Sequence, residues 1–299
     1  MTIIAFTGLG RMGFPIAVNL LKAGFSVIGY DLDPAKMAAL AKHGGKRARS
    51  PAEAAALSDF SLSIIMNDAI LRNVAMGEIG VLKGARSGHV YCDLSTVSPS
   101  ASGEVRVKAA EAGVEYLCAK VSGSIDRAES ASLTLFASGP ADAFARTHAV
   151  FQAMAGDVHY VGEGEAAAYL KLVHSMIVGT YSAMIGEALA FGQKGGLPLD
   201  MMIDILESGP LGSRQLSLKA PVLKERRFSN PPSDIDTAAK DVDIILDTAR
   251  QDRTPLPLMS AARQVMAFAQ ASGGGKREIY SVLESFEQLA GLKVPSDEH

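Results

Sequence analysis

The sequence predicts an α/β fold in two parts. Residues 1–162 form a doubly wound, largely parallel sheet, and residues 163–299 form a long interdomain helix followed by an all-α C-terminal part. Three observations predict it. Short β-branched, apolar runs alternate with helical stretches through the first part, as in a sheet crossed by helices. A glycine-rich turn, Gly8-Leu9-Gly10-Arg11-Met12-Gly13, joins the first strand to the first helix. After Gly162 the alternation stops, and one helical stretch follows another.

Composition bounds the partners. Of 299 residues, 48% are hydrophobic and 20% charged, and a net charge of −3 gives no reason to expect a nucleic-acid partner. The N-terminal apolar run leads straight into the glycine turn, so it reads as a strand and not as a signal peptide. Cys92 and Cys118 have no metal-ligand spacing and read as reduced thiols of a cytoplasmic protein, and no metal is expected.

Residues 2–7 (TIIAFT) are the first predicted strand. In the turn that follows, the first glycine permits the tight bend and the second lets a pyrophosphate approach the backbone. The third lets helix and strand pack closely. The helix over 15–23 turns its free N–H groups toward the phosphates, which makes this a Rossmann-type dinucleotide site. The strand over 26–30 ends at Asp31. This acid lies 23 residues after Gly8, near the spacing of about 20 expected of a carboxylate on the ribose 2′-OH. Leu32 follows it, and no arginine is at hand to receive a 2′-phosphate, so the reading is NAD before NADP. Asp33 with Pro34, and Ser50 with Pro51 and Glu53, carry helix-start signals. Strands are predicted at 60–66, 89–92, 114–118, 132–137 and 158–161, with helices at 98–112 and from 140 to about 156. Ligands of such sheets bind beyond the carboxyl ends of the strands. The loops after Thr7, Tyr30, Met66, Asp93 and Cys118 are therefore candidate cleft walls, with Met66 and Asn67 among the cofactor contacts.

Residues 162–194 contain no proline, and between 166 and 191 the only ionisable side chains are Tyr169, Lys171, His174, Tyr181 and Glu187. This predicts one helix of about 28 residues, roughly 40 Å long. Lys171 and His174 make a membrane span expensive, so the helix is expected to be buried between two protein bodies. His174 and Ser175 follow Lys171 at i+3 and i+4 and share its face. A desolvated lysine there has its pKa lowered toward the range in which it exchanges protons with a hydroxyl. The bland alternative is a lysine that reaches solvent or pairs with an acid. For His174, a hydrogen bond to substrate and a satisfied core histidine stand as equal readings. Further helices are predicted near 198–207, 214–223, 234–250, 255–270 and 277–289. Apolar stripes on so small a helical part predict a partner copy.

Five stretches share a pattern: Phe6 to Gly13 with Asn19 six residues on, Asp93 to Pro99 (DLSTVSP), Val121-Ser122-Gly123, Gly162-x-Gly164 followed by Lys171, and Lys240-Asp241. Together they resemble the signature blocks of the β-hydroxyacid dehydrogenase family, which includes 3-hydroxyisobutyrate dehydrogenase, tartronate semialdehyde reductase and small glyoxylate reductases. The resemblance spans the whole chain and implies a 6-phosphogluconate-dehydrogenase-like helical domain. It also implies an NAD(P)-dependent oxidoreductase acting on a small β-hydroxy acid, assembled as a homodimer or homotetramer. By resemblance Lys171 is the catalytic lysine, and Thr96 contacts the nicotinamide half of the cofactor. Ser122, Gly123 and Ser124 hold the substrate carboxylate, and Lys240 and Asp241 face cofactor and substrate.

The departures bear on the substrate. The family's Asp-Ala-Pro-Val-Ser-Gly-Gly loop is here Cys118-Ala119-Lys120-Val121-Ser122-Gly123-Ser124, and Lys120 is expected to add positive charge beside the cleft. His174 and Ser175 replace the two asparagines that usually follow the lysine; Ser175 is expected beside the substrate, and for His174 substrate contact is one of its two equal readings. L-threonate-type enzymes resemble the chain in having histidine at i+3. A 3-hydroxyisobutyrate-like substrate, a polyhydroxy acid, and a non-catalytic NAD-binding sensor are the competing readings.

Overall fold

The alternating apolar runs of the first part pair into one sheet. Its strands are β1 (Ile3–Thr7), β2 (Ser26–Tyr30), β3 (Lys46–Arg47), β4 (Phe60–Ser63), β5 (Val90–Asp93), β6 (Glu115–Ser122), β7 (Leu133–Ser138) and β8 (Ala155–Tyr160). This is a computed structural model, and it describes residues 1–294. The order is β3-β2-β1-β4-β5-β6-β7-β8, and every neighbouring pair is parallel except β6 with β7. The chain works outward from β1 to β3, then returns to place β4 on the other side of β1. That reversal opens a crevice at the carboxyl end of β1, where doubly wound sheets bind their ligands.

Eight helices cross the sheet: α1 (Gly13–Lys22), α2 (Pro34–Lys42), α3 (Pro51–Ala56), α4 (Asp68–Met76), α5 (Val81–Gly84), α6 (Pro99–Glu111), α7 (Ile125–Glu129) and α8 (Ala141–Gln152). The period of two along the strands sends Phe6, Leu62, Cys92 and Leu117 into one core and Tyr91, Tyr116, Cys118 and Phe136 into another. Caps expected from sequence form as side-chain bonds. Asp33 accepts from Ala35 N, Ser50 from Glu53 N, and Ser98 from Ala101 N. Several elements have no counterpart in the sequence reading. β3 is two exposed residues without apolar alternation, α5 and α7 are too short to show a helical period, and α4 is absent from that reading although its buried Leu71, Val74 and Ala75 stand at i, i+3 and i+4.

The chain divides into two compact units, Met1–Leu172 and Val173 onward. The division falls inside α9 (Ala166–Lys194), a single helix of 29 residues. Five more helices follow: α10 (Leu199–Ser208), α11 (Arg214–Lys224), α12 (Ile235–Gln251), α13 (Pro257–Ala271) and α14 (Val282–Leu289), the last entered through a 3₁₀ turn at Ile279–Ser281. Among the described residues the second unit has no strand, only an isolated bridge between Asp234 and Glu278. Leu216, Phe228, Ile245, Met266 and Leu283 fill its core.

The long helix is less buried than its composition suggests. Leu170, Val173, Ile177, Met184 and Phe191 are exposed, Phe191 at 82%, and their spacing of three, four and seven residues makes one apolar stripe. Burial on all sides is therefore corrected to burial on one face. No helix among the described residues is long and apolar enough to cross a membrane.

Candidate active site

The turn after β1 is closed by backbone that tolerates no side chain at Gly8 or Gly13. Gly8 has φ +94°, and a Cβ on it would lie 2.1 Å from the Ile64 carbonyl oxygen. A Cβ on Gly13 would lie 1.9 Å from the Gly8 carbonyl oxygen, so the helix closes directly onto the turn. A Cβ on Gly10 would meet nothing within 4 Å, so that side of its backbone is open to a ligand. Leu9 is buried and anchors the turn. Met12 is the N-cap of α1, beside Arg11, and among the described residues no side chain caps this helix. In its first turn the Phe14 N–H is bonded to the Gly10 carbonyl oxygen at 3.0 Å and Pro15 has none, so it is the positive end of α1 that lies at this turn, the arrangement that favours phosphate. The residues present thus fit a dinucleotide.

Asp31 is tied into the same turn. Its Oδ2 accepts the Leu9 N–H at 2.7 Å, and its Oδ1 accepts the Asp33 N–H at 2.9 Å. The Lys36 ammonium lies 3.5 Å from Oδ1, a cation that the sequence reading did not identify. It lies five residues after Asp31, as the third residue of α2, and no local sequence pattern singles it out. Leu32 is 87% exposed. Farther along the carboxyl edge, Met66 is exposed and the Asn67 Oδ1 accepts the Ile70 N–H at 3.0 Å, which makes Asn67 the N-cap of α4. Thr96 is half-buried in the loop after β5.

At the end of β6, Ser122 is half-buried and Gly123 turns the chain at φ +143°. Ser124 is the N-cap residue of α7. The Lys171 Nζ donates to the Val121 carbonyl oxygen at 3.1 Å. Lys171 is half-buried, and this bond sets its amine one residue from the Ser122-Gly123 turn. Lys120 corrects an expectation: it adds no charge to the cleft. It is fully buried, and its Nζ lies 2.6 Å from Asp93 Oδ2. Burial alone would lower its pKa, but the Asp93 charge and hydrogen bonds to Asp93 and Cys118 hold it above the ordinary lysine value. The face of β6 that carries Lys120 also carries Tyr116 and Cys118, and period two alone puts it inside. Cys92 and Cys118 are buried free thiols, both pushed up by desolvation.

The remaining candidates belong to the second unit. Asp241 gathers two of them: Ser175 Oγ donates to its Oδ2 over a long 3.4 Å, and Lys240 Nζ lies 2.9 Å from its Oδ1. His174 is exposed on α9. The site residues thus form a dinucleotide turn, a β6-end cluster with Lys171, and a Ser175–Lys240–Asp241 cluster.

The chain is similar to known proteins over most of its length. Residues 3–162 match the family model described as the NAD binding domain of 6-phosphogluconate dehydrogenase. Residues 162–286 match the one described as NAD-binding of NADP-dependent 3-hydroxyisobutyrate dehydrogenase. The chain is 32% identical to a 2-(hydroxymethyl)glutarate dehydrogenase of Eubacterium barkeri over 97% of each chain. It is also 32% identical to an L-threonate dehydrogenase of Cupriavidus necator, over 98% of this chain and 97% of that one. A solved structure of 3-hydroxyisobutyrate dehydrogenase from Salmonella typhimurium superimposes with a TM-score of 0.83 at 30% identity, covering 95% of this chain and 99% of the other.

Proposed function

This chain belongs to the β-hydroxyacid dehydrogenase family, and from that premise we propose that it transfers a hydride between a small β-hydroxy acid and NAD, with Lys171 as general acid/base. The observation that carries the reading is the Lys171 amine. It is half-buried and held by the Val121 carbonyl oxygen, one residue before the turn at Ser122 and Gly123. Its bond to that carbonyl orients the amine for proton exchange with a substrate hydroxyl. When bound, the nicotinamide ring of the cofactor supplies the hydride acceptor. Lys171 takes the hydroxyl proton in oxidation and returns it in reduction. Ser122, Gly123 and Ser124 hold the substrate carboxylate through the turn at the α7 N-terminus. Thr96, Met66 and Asn67 line the nicotinamide side, Lys240 faces the cofactor, and His174, Ser175 and Asp241 contact the rest of the substrate.

NAD is the proposed cofactor because the Asp31 carboxylate offers hydrogen bonds to a ribose hydroxyl and repels a 2′-phosphate. Lys36 beside it narrows that margin without removing the negative charge from the turn. A polyhydroxy acid of the L-threonate type is the second reading. It is favoured by His174 three residues after Lys171 and by the likeness to an L-threonate dehydrogenase. The exposed stripe on α9 supports assembly as a homodimer or homotetramer, since apolar stripes of this kind are covered in symmetric oligomers. The buried free thiols suit a cytoplasmic protein.

Steady-state turnover with a panel of small hydroxy acids tests the reading, using 3-hydroxyisobutyrate, L-threonate and 2-(hydroxymethyl)glutarate with NAD and with NADP. The expected result is turnover of at least one acid, faster at low cofactor concentration with NAD. Tight NAD binding with no turnover of any acid would favour the sensor reading and sink this one.

A further inference from the structure

β6 runs four residues beyond its last pair with β5. The ladder between them ends at Asp93 opposite Cys118, whereas the strand continues to Ser122. On the β5 side this overhang lacks ladder hydrogen bonds, and Lys120 stands in their place. Its Nζ donates to Asp93 Oδ2 at 2.6 Å and to the Asp93 carbonyl oxygen at 3.3 Å. The same carboxylate gathers the neighbouring loops. Asp93 Oδ1 accepts from Ser95 Oγ at 2.6 Å, from Ser95 N at 3.3 Å and from Ser63 Oγ at 3.1 Å. Ser95 Oγ in turn accepts the Ile65 N–H at 2.9 Å, which fixes the loop after β4. Lys120, Asp93, Ser63 and Ser95 are all buried.

We propose that Lys120 is a positioning residue of the active site: its buried pair with Asp93 ties the overhanging end of β6 to the loops after β4 and β5. It thereby fixes the Val121 carbonyl that holds Lys171 and the Ser122-Gly123 turn. Lys120 touches neither substrate nor cofactor. It acts through its chain neighbour Val121 and through Ser95, which adjoins Thr96. A stability device alone would need only a neutral, well-packed pair, because breaking a buried ion pair by removing one partner strands a charge, whereas replacing both partners together is often tolerated.

The inference rests on the proposed role of Lys171, so its test has one arm that needs no activity. Three variants are compared with wild type: Lys120→Met, Asp93→Asn, and the two combined. All measurements are made at a temperature where circular dichroism shows each to be folded. Hydrogen exchange is followed in segments 63–67, 93–98 and 119–124, with 8–13 as the internal control. In the double variant, exchange in the three segments should quicken at least about tenfold while 8–13 stays unchanged, since removal of the tie loosens only what it holds. Unchanged exchange in those segments overturns the proposal whether or not the protein turns over a hydroxy acid.

The kinetic arm separates positioning from stability. Lys120→Met should lower Tm by about 10 °C, and the double variant should recover most of that loss. In both, kcat should stay at least about tenfold below wild type and KM for the acid should rise, with NAD affinity within about threefold. A double variant that regains both Tm and wild-type kcat would reduce Lys120 to a compensating charge and overturn the proposal, even where Lys120→Met alone fails to fold. Inactivity of the wild type with every acid would strike the proposed function, and the exchange result would still decide the tie.

Discussion

The turn after β1 and the end of β6 lie along the same carboxyl edge of the sheet but are built in opposite ways. The turn is backbone against backbone: Gly8 against Ile64 O, and Gly13 against Gly8 O. The β6 end is held by side chains, Lys120 on Asp93 and Lys171 on the Val121 carbonyl. A region of the first kind fails when atoms are added, and one of the second kind fails when atoms are removed.

The largest effect is expected from adding an atom to the turn. Gly13→Ala puts a Cβ where 1.9 Å separates it from a carbonyl oxygen, and helix and strand must part. Thermal unfolding should report a loss of roughly 3 kcal/mol, and NAD should bind at least about 100-fold more weakly. A Tm within about 2 °C of wild type with normal NAD affinity would show that the turn is not closed as described.

Gly123 sharpens the contrast, because it is the backbone-built part of the other region. Its φ of +143° disfavours any side chain, and a Cβ would lie 2.7 Å from Leu133 Cδ2 and 3.2 Å from the Arg127 Cβ. Gly123→Val should therefore lower kcat/KM for the acid at least about 100-fold and leave NAD binding within about threefold. Normal kinetics in that variant would remove the turn from the carboxylate site.

A smaller effect is expected at Asp31. Replacing it by Ala, together with Leu32→Arg, removes the repelling charge and supplies a cation. The ratio of NAD to NADP affinity should shift by about tenfold or more toward NADP. If the ratio does not move in parallel titrations, Asp31 has no part in cofactor choice.

The smallest effect lies at the amino edge of the same sheet and serves as a control. His89 is buried with Nε2 on Ser61 Oγ at 2.8 Å. Desolvation first, and then Arg86, push its pKa down to about 4, partly opposed by Asp59. The unfolded chain takes up a proton near the ordinary histidine value while the fold keeps the ring neutral. The stabilisation is therefore complete above the unfolded pKa and is lost as pH falls toward about 4. Between about pH 7 and about pH 5.5 this amounts to roughly 1 kcal/mol, or about 3 °C in Tm. His89→Gln should flatten that part of the pH dependence without changing NAD affinity. An unaltered Tm profile would mean that His89 does not titrate in this way.

These two regions also mark what was legible in the sequence. A glycine that must avoid a carbonyl is visible as a glycine, and Gly8, Gly10 and Gly13 at their spacing announced both the turn and the helix after it. The long helix was legible because its propensity is local, and so were the strands whose apolar runs alternate. Lys120 was misread because its partner is 27 residues away, and a strand period says that a residue points inward without saying what it meets. Lys36 was missed for a related reason, since its relation to Asp31 depends on how α2 leaves β2. The Asn67 cap went unseen because α4 itself was not identified, and the Val121 carbonyl under Lys171 lies 50 residues from it, beyond any local pattern.

The central claim is that the Lys171 amine moves the substrate proton, and Lys171→Met tests it most directly, because it keeps the side chain's length and removes its proton chemistry. With an acid that the wild type turns over, kcat should fall at least about 100-fold, with a modest change in KM and NAD affinity within about threefold. Lys171→Arg should fare almost as badly, since a guanidinium keeps the charge but cannot serve as a base near neutral pH. A folded Lys171→Met enzyme with kcat within about tenfold of wild type would contradict the account and leave Lys171 a structural residue bound to the Val121 carbonyl.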